Sequence, residues 1–315
     1  MKSNRVLLLF ICGLFSVCMM AEEELIKFGN FDSWITRSIK ESILVGGKTQ
    51  TLYEIGPKGT YSGSKAYTNQ GGSPWGCSNV YAKVYGVVKT NVSVFPDKHR
   101  IGHCAKLSTN IVNCKAIGVV DVSVLATGSI FLGSVLEPIT GSKDPMSKIS
   151  IGIPFTKKPK ALKFDYKYYS PGTERIRETG FTRRQKVRGK DMGQVICLLQ
   201  KRWEDAEGNI HALRVGTLRQ NFSQNTSDWK ENQSFSIHYG DITRESHYQS
   251  EMGLNVNGFY TLNSKGKNVP IKEEGWAAPD EAPTHIVLKF DSSHGGAYIG
   301  TVGNTLWVDN VKLVY

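Results

Sequence analysis

Hydrophobic and polar side chains alternate with a period of two along several short segments of this chain. Residues 160–169 carry charged side chains at positions 163, 165 and 167, and their other face is apolar or aromatic: Leu162, Phe164, Tyr166 and Tyr168. Residues 284–290 repeat the pattern with Ile286, Leu288 and Phe290. Such alternation is typical of half-buried β-strands, so we predict a strand in each segment.

The last segment of the chain has the same pattern with one change of phase. Leu306 and Val308 share one face, and the next apolar positions are Val311 and Leu313. The step from 308 to 311 is odd, so the phase changes at Asp309 and Asn310. A β-bulge there would return both halves of the strand to the core.

Further β-rich runs occur throughout the chain, separated by turn-forming residues at 71–74, 171–172, 208–209, 295–296 and 303–304. The runs are Lys83–Phe95, Val112–Val135, Gln194–Leu199, His211–Leu218 and Phe235–Tyr239. No long helical period and no internal repeat is present. We therefore predict one all-β domain over residues 22–315, an antiparallel β-sandwich of the jelly-roll type.

Residues 1–21 have the composition of a signal peptide. Lys2 and Arg5 precede an apolar run that ends at Ala21, and the run is short for a membrane-spanning helix. We predict export to the periplasm or cell surface, with cleavage after Ala21. A lipid anchor at Cys18, with outer-membrane association, is an alternative that Val17 disfavours because a small residue is expected there.

The net charge of +11 comes largely from one segment. Without residues 1–21 the chain has 37 Lys and Arg against 28 Asp and Glu, or +9, and residues 175–190 contribute seven basic residues against Glu178 alone. This segment is either a solvated loop or a polyanion-binding surface, for which the candidates are Arg183, Arg184 and Lys186. It contains one aromatic residue, whereas nucleic-acid-binding surfaces interleave aromatic and basic residues, so we predict no nucleic-acid partner.

Four cysteines remain after removal of the signal peptide: Cys77, Cys104, Cys114 and Cys197. Cys104 and Cys114 could form a bridge across a hairpin, and four buried free thiols are the alternative. His99 and His103 flank Cys104 in a strand-like segment, where side chains four residues apart lie roughly 13 Å apart. We therefore interpret these histidines as scattered surface residues.

Known catalytic motifs are missing from the sequence: it has no HExxH, GxSxG or EF-hand pattern. A glycoside hydrolase usually needs two carboxylates roughly 5–10 Å apart. Glu137, Asp165 and Asp291 are candidates, but one sequence cannot place them together.

The six tryptophans supply candidate sugar-stacking rings. Trp75 stands in the turn-rich segment 73–79 beside Asn79, where its ring could stack on a sugar while the amide binds hydroxyls. Trp34 is a second candidate. A tryptophan that closes one end of the core is an equally good interpretation for either position.

Two longer segments resemble a known family. The first, within residues 151–172, contains Gly152-Ile153-Pro154-Phe155-Thr156, then Tyr166-Lys167-Tyr168 and Pro171-Gly172. The second runs from Ser292 to Asn310, and weaker matches include Ala105-Lys106-Leu107. These residues resemble the putative carbohydrate metabolism domain family of exported gut-bacterial proteins. The basic segment 175–190 and Asn304, where Ser is expected, depart from the family pattern.

The resemblance implies a jelly-roll sandwich similar to galactose-binding-like modules, acting in glycan capture or processing at the cell envelope. It implies an oligo- or polysaccharide partner and a carbohydrate site for which Trp34, Trp75, Asn79 and Lys106 are our candidates. We also predict that the chain is a monomer. Such modules often hold a structural Ca²⁺ near their termini, and Asp309 is the candidate ligand. The alternatives are a glycoside hydrolase or lyase, and an envelope adhesion or structural protein that binds polyanions through the basic segment.

Overall fold

A computed structural model describes residues 22–67, 71–116, 120–141, 143–180, 184–255 and 258–315. The predicted signal peptide with Cys18, and Arg183 of the basic segment, lie outside the described residues. Within the described ranges the chain is almost entirely β-structure, as the alternating pattern predicts.

The strands, in chain order, are β1 (Glu23–Leu25), β2 (Trp34–Lys40), β3 (Thr49–Ile55), β4 (Gly59–Ser62), β5 (Trp75–Cys77), β6 (Val80–Val84), β7 (Val87–Asn91), β8 (Val94–His99), β9 (Gly102–Ser108), β10 (Asn110–Ala116), β11 (Val120–Ala126), β12 (Ser129–Val135), β13 (Ile149–Ile151), β14 (Ile153–Pro154), β15 (Ala161–Tyr169), β16 (Ile176–Arg177), β17 (Thr179–Gly180), β18 (Gln185–Lys186), β19 (Gly193–Glu204), β20 (Ile210–Phe222), β21 (Lys230–Ser236), β22 (His238–Tyr239), β23 (Tyr260–Leu262), β24 (Asn268–Trp276), β25 (His285–Asp291), β26 (Ile299–Gly300) and β27 (Thr305–Val314). Three short 3₁₀ helices cover Ile43–Val45, Pro145–Lys148 and Ser250–Met252. In the part of the chain that the structure describes, no helix is long and apolar enough to cross a membrane.

Two large sheets form the body of the protein. The first has the order β21-β15-β27-β9-β8, with β1 paired to β27. The second has the order β13-β12-β25-β19-β20-β24-β23, with β5, β14 and β22 paired at its sides. Pairing in both sheets is antiparallel except between β20 and β24.

The main core lies between these two sheets. Leu162 and Phe164 of β15 and Val308 of β27 contribute from the first sheet, and Leu288 and Phe290 of β25 contribute from the second. This arrangement confirms the predicted antiparallel β-sandwich. The more specific jelly-roll connectivity stays a prediction.

The change of phase at Asp309 and Asn310 is a β-bulge, as predicted. The pairing of β15 with β27 shifts register between Lys163 and Asp165. These two residues are two positions apart, whereas their partners on β27, Lys312 and Asp309, are three positions apart. Asn310 takes a left-handed φ of 54°. As a result, apolar side chains on both sides of the bulge are buried: Leu306, Val308, Val311 and Leu313.

The second sheet is buried on both faces. Ile196 and Leu198 of β19 and Val287 of β25 point away from the main core and form a second apolar cluster with Phe131 and Ile271. Smaller sheets, β3-β2-β4 and β6-β7, pack beside the sandwich around Ile39, Leu52 and Tyr81. They bring β3 next to β5 at the edge of the second sheet.

The structure decides between the two interpretations of the cysteines. Cys104 and Cys114 lie on β9 and β10, which belong to different sheets, and all four cysteines of residues 22–315 are free thiols. This confirms the free-thiol alternative, although Cys114 is only partly buried. Part of the segment 175–190 is paired rather than a simple loop, since β16 pairs with both β18 and β26.

Candidate functional site

A cavity of about 410 Å³ lies where β3, β5 and β12 meet. Its wall combines apolar and polar side chains with backbone from the end of β12. The lining residues that carry polar or aromatic groups are Glu54, Tyr67, Trp75, Cys77, Asn79, Ser134 and Glu137. We call this space the Glu54–Glu137 cavity.

Two buried carboxylates of this cavity share one arginine. Arg37 of β2 donates from Nη1 to Glu54 Oε1 at 2.7 Å and from Nη2 to Glu137 Oε2 at 2.6 Å. All three side chains are almost fully buried. Arg37 lies on the same face of β2 as Ile35 and Ile39. Its charged guanidinium is therefore buried at a position where strand alternation predicts an apolar core residue.

Glu137 has no free hydrogen-bonding capacity. It accepts two bonds from Arg37 and one backbone N–H each from Tyr67 and Tyr81, both at 2.8 Å. A carboxylate has about four lone-pair positions, and all four are used here. Glu137 therefore anchors the cavity wall.

Glu54 is chemically more versatile. Its Oε2 accepts a bond from the Cys77 thiol at 3.0 Å. Burial raises the pKa of Glu54 to about 7, although the nearby Arg37 favours the charged form. Burial and the adjacent Glu54 also raise the pKa of Cys77 well above its usual value, so this group stays a neutral thiol. Near neutral pH the cavity thus contains a carboxyl group that can either donate or accept a hydrogen bond.

Tyr67 completes the polar wall. Its ring lies 5.1 Å from the Arg37 guanidinium, and its hydroxyl is buried without a hydrogen-bond partner. Burial raises the pKa of this hydroxyl, which therefore remains protonated. Buried hydroxyls normally find partners, so an unpaired one in a cavity is a place where a ligand atom can bind.

The structure places Trp75 and Asn79 in the wall of this cavity, but both serve the fold. Trp75 is 1% exposed, and its indole donates to the Lys27 carbonyl at 2.9 Å. The Asn79 amide donates to the carbonyls of Tyr53 and Val94 and accepts from two backbone N–H groups. Neither presents the open ring or free amide on which the sequence interpretation relied.

Trp34 and Lys106, the other two carbohydrate-binding candidates, do not line the cavity. The Trp34 indole donates to the Phe31 carbonyl at 2.6 Å and packs in the main core. Lys106 lies on β9, on the outer face of the first sheet, with its ammonium 5.6 Å from the centre of the Trp307 ring. The four candidates therefore do not form one surface, and their role in carbohydrate binding stays a prediction.

The basic segment is partly neutralised by Glu178 within it and by Glu174 directly before it. Arg184 forms an ion pair with Glu178 at 2.7 Å, and Lys186 forms one with Glu174 at 2.6 Å. Both basic side chains are more than half exposed. They remain available to a polyanion only in competition with these carboxylates.

Asp309 lies in a buried polar group on the outer face of the first sheet, which we call the His99 cluster: His99, Asp165 and Asp309. His99 Nδ1 and Asp309 Oδ2 are 2.6 Å apart, and the His99 ring stacks on Trp229 at 3.7 Å. The interpretation of His99 as a surface residue is wrong, because the bulge of β27 and the neighbouring Trp229 enclose it. Burial raises the pKa of Asp309 to about 6, although the contact with His99 opposes this shift.

The predicted Ca²⁺ does not fit the His99 cluster. Calcium takes six to eight oxygen ligands, whereas the cluster offers one imidazole and the four oxygens of two carboxylates. Each of these oxygens also has a protein partner. Asp165 accepts from the Asn232 backbone and the Asn310 amide, and Asp309 accepts from the Asn310 backbone and contacts His99.

The carboxylates considered from the sequence are dispersed in space. Glu137 lines the cavity, Asp165 belongs to the His99 cluster, and Asp291 bonds with Ser129 and Gln194. The carboxylate that shares Arg37 with Glu137 is Glu54, which the sequence interpretation missed. A signal exists: Glu54 is two positions after Leu52 on β3, so strand alternation places it on the same face as that buried side chain.

Comparisons with known proteins agree with the resemblance seen in the sequence. The family described as "Putative carbohydrate metabolism domain" matches residues 48–314. A comparison with curated proteins gives no match.

Two solved structures share a distant similarity in shape. A crystal structure of a putative glycoside hydrolase from Bacteroides thetaiotaomicron VPI-5482 has 17% identity and a TM-score of 0.47, covering 89% of this chain and 70% of that one. A crystal structure of a putative glycoside hydrolase from Bacteroides vulgatus ATCC 8482 has 15% identity and a TM-score of 0.49, covering 90% of this chain and 96% of that one. Similarity at this distance assigns no activity to the chain.

Proposed function

Because the chain belongs to the putative carbohydrate metabolism domain family, we propose that it binds carbohydrate and that the Glu54–Glu137 cavity is its binding site. The observation that carries this proposal is the buried Tyr67 hydroxyl, which has no partner and lies in the same cavity as Glu54. The ligand expected from the family is an oligo- or polysaccharide, one unit of which would enter the cavity.

The chemistry of the cavity suits a sugar. Small-molecule sites usually enclose about 300–1,000 Å³ and combine apolar walls with a few placed polar groups. Sugar hydroxyls both donate and accept hydrogen bonds. The Tyr67 hydroxyl and the Glu54 carboxyl can do the same, and the latter changes role with its proton.

The same geometry favours binding over hydrolysis. A glycoside hydrolase needs one carboxyl group as an acid and a second as a base or nucleophile. Glu54, with a pKa of about 7, could act as the acid. Glu137 cannot take the second role, because Arg37 and two backbone N–H groups occupy its oxygens.

Export belongs to this proposal as well. Residues 1–21 resemble a signal peptide, and a carbohydrate-binding protein at the periplasm or cell surface would capture glycans or hold them for processing. The proposed acting unit is the monomer.

The test is isothermal titration of the chain against a panel of oligosaccharides, followed by titration of two variants with the best ligand. Tyr67→Phe removes the unpaired hydroxyl, and we expect roughly tenfold weaker binding, the effect of about one hydrogen bond. Tyr61→Phe is the matched control, since Tyr61 is an exposed tyrosine of β4. Failure of the folded protein to bind any glycan would count against the proposal. Equal affinity of the two variants would exclude this cavity.

Hydrolysis is tested in the same samples. We expect no release of reducing ends during prolonged incubation with the best ligand. If the natural chain releases reducing ends and Glu54→Gln does not, the protein is a hydrolase and not solely a binding protein.

A further inference from the structure

The His99 cluster is independent of the cavity and the proposed function. It lies on the outer face of the first sheet, where β8, β15 and β27 supply one residue each. His99, Asp165 and Asp309 are all buried, and one ligand atom from each lies within 4.8 Å of the others.

Two carboxylates of this cluster are neighbours on paired strands. Asp165 is the direct cross-strand partner of Asp309 in the β15–β27 pair. The donors to Asp165 are the Asn232 backbone at 2.5 Å and the Asn310 amide at 2.8 Å, and both are neutral. Buried carboxylates of equal charge repel one another, and a nearby cation relieves this repulsion.

Among the described residues, Arg100 is a protein cation whose charge acts on both Asp165 and Asp309. The nearby Arg100 is more than half exposed and forms its ion pair with Glu231. A bound cation would therefore complete the charge balance of the cluster.

The orientation of His99 matches that of a metal-binding histidine. Its Nδ1 points toward Asp309, and its Nε2 is buried without a hydrogen-bond partner. Glu231 Oε1 lies 3.9 Å from Nε2. A histidine that binds a metal through one nitrogen usually donates from the other to a carboxylate, and Glu231 is placed for that second role.

We propose that His99 Nδ1, Asp165 and Asp309 bind a first-row divalent transition metal ion, with Zn²⁺ as the probe. One imidazole with two carboxylates suits such an ion better than Ca²⁺, which prefers oxygen ligands alone. Three protein ligands leave a fourth position of a tetrahedral zinc site to water. Ligand atoms about 2.0–2.2 Å from zinc lie about 3.4 Å apart, so binding would break the 2.6 Å contact between His99 Nδ1 and Asp309 Oδ2 and move these two atoms apart.

The experiment is equilibrium dialysis of the metal-free chain against Zn²⁺, followed by metal analysis and by titration to obtain the affinity. We expect one zinc ion per chain and little displacement by excess Ca²⁺. His99→Ala and Asp309→Asn should abolish stoichiometric binding. Glu231→Gln, at a side chain that is 44% exposed, should weaken it about tenfold.

His211→Ala is the matched control. His211 also contacts two carboxylates, Asp205 and Glu274, but this group is far more exposed than the His99 cluster. Zinc binding should be unchanged in this variant. The proposal is overturned if the folded chain retains no zinc, if His211→Ala rather than Glu231→Gln weakens binding, or if Ca²⁺ displaces zinc at equal concentration.

Discussion

Arg37 and Glu137 are a hundred residues apart in the chain, yet their side chains meet at 2.6 Å in a fully buried ion pair. The same guanidinium binds Glu54, so one cation is shared by two carboxylates at the wall of the cavity. These two ion pairs connect β2 and β3, which belong to one of the smaller sheets, to the segment that follows β12 in the second large sheet.

Removal of this shared cation should destabilise the fold strongly. Arg37→Met leaves Glu54 and Glu137 buried without their partner, and loss of one member of a buried pair is expected to lower the free energy of unfolding by about 3–5 kcal/mol. Urea denaturation measures the effect. Lys157→Met, which breaks the exposed pair with Glu24, should change stability by less than about 1 kcal/mol. Similar losses in the two variants would contradict the assignment of a buried network.

Glu54 should make stability depend on pH. Its pKa rises from an ordinary 4.5 to about 7 in the folded chain, so the folded state keeps a proton that the unfolded state has released. This contribution is fully present below about pH 4.5 and is lost as pH rises through about 7, a change of about 3 kcal/mol. Urea midpoints across this range should fall for the natural chain and fall less for Glu54→Gln. Parallel curves for the two proteins would show that Glu54 is not the group responsible.

Asn79 should prove structural. Asn79→Ala removes four buried hydrogen bonds and leaves the backbone groups of residues 53, 93 and 94 without partners, so we expect a loss of about 3 kcal/mol. Asn209→Ala, at an exposed turn, should stay within roughly 0.5 kcal/mol. Titration with a glycan at a temperature where both variants are folded then distinguishes a structural role of Asn79 from direct contact with the ligand. Weaker binding without loss of stability would restore Asn79 as a ligand-contacting residue.

The basic segment should bind polyanions weakly, because its own carboxylates compete. On a dextran sulfate column, Glu174→Gln frees Lys186 and should elute at higher salt than the natural chain. The double variant Arg184→Ser/Lys186→Ser should elute at lower salt. Both variants alter exposed side chains, so unfolding does not complicate the comparison. Identical elution of all three proteins would remove the polyanion-binding interpretation.

The strand predictions depend on local alternation, and they succeeded where the pattern was strong. Residues 160–169 and 284–290 each contain a strand with the expected face in the main core, and the bulge lies where the phase changes. The pattern could not reveal that β25 is buried on both faces, because the second apolar cluster comes from segments far away in the chain.

The site predictions stay predictions, since composition alone does not distinguish a presented side chain from a packed one. Trp75 and Asn79 do line a cavity, but their polar atoms are used within the fold. For His99 the sequence interpretation was a surface residue, whereas the side chain is buried. Strand spacing excludes a metal site made of His99 and His103, but it says nothing about Asp165 and Asp309, which lie close to His99 only in the folded chain.

The sequence by itself determined the all-β class, the antiparallel sandwich, the bulge in the last strand and the family. These follow from side-chain periodicity and short motifs, which act over a few residues. Only the tertiary structure decided that Arg37 meets Glu54 and Glu137, and that His99 meets Asp165 and Asp309. Those contacts join residues up to 210 positions apart, and strand order, which local alternation does not encode, sets which charged groups are buried together.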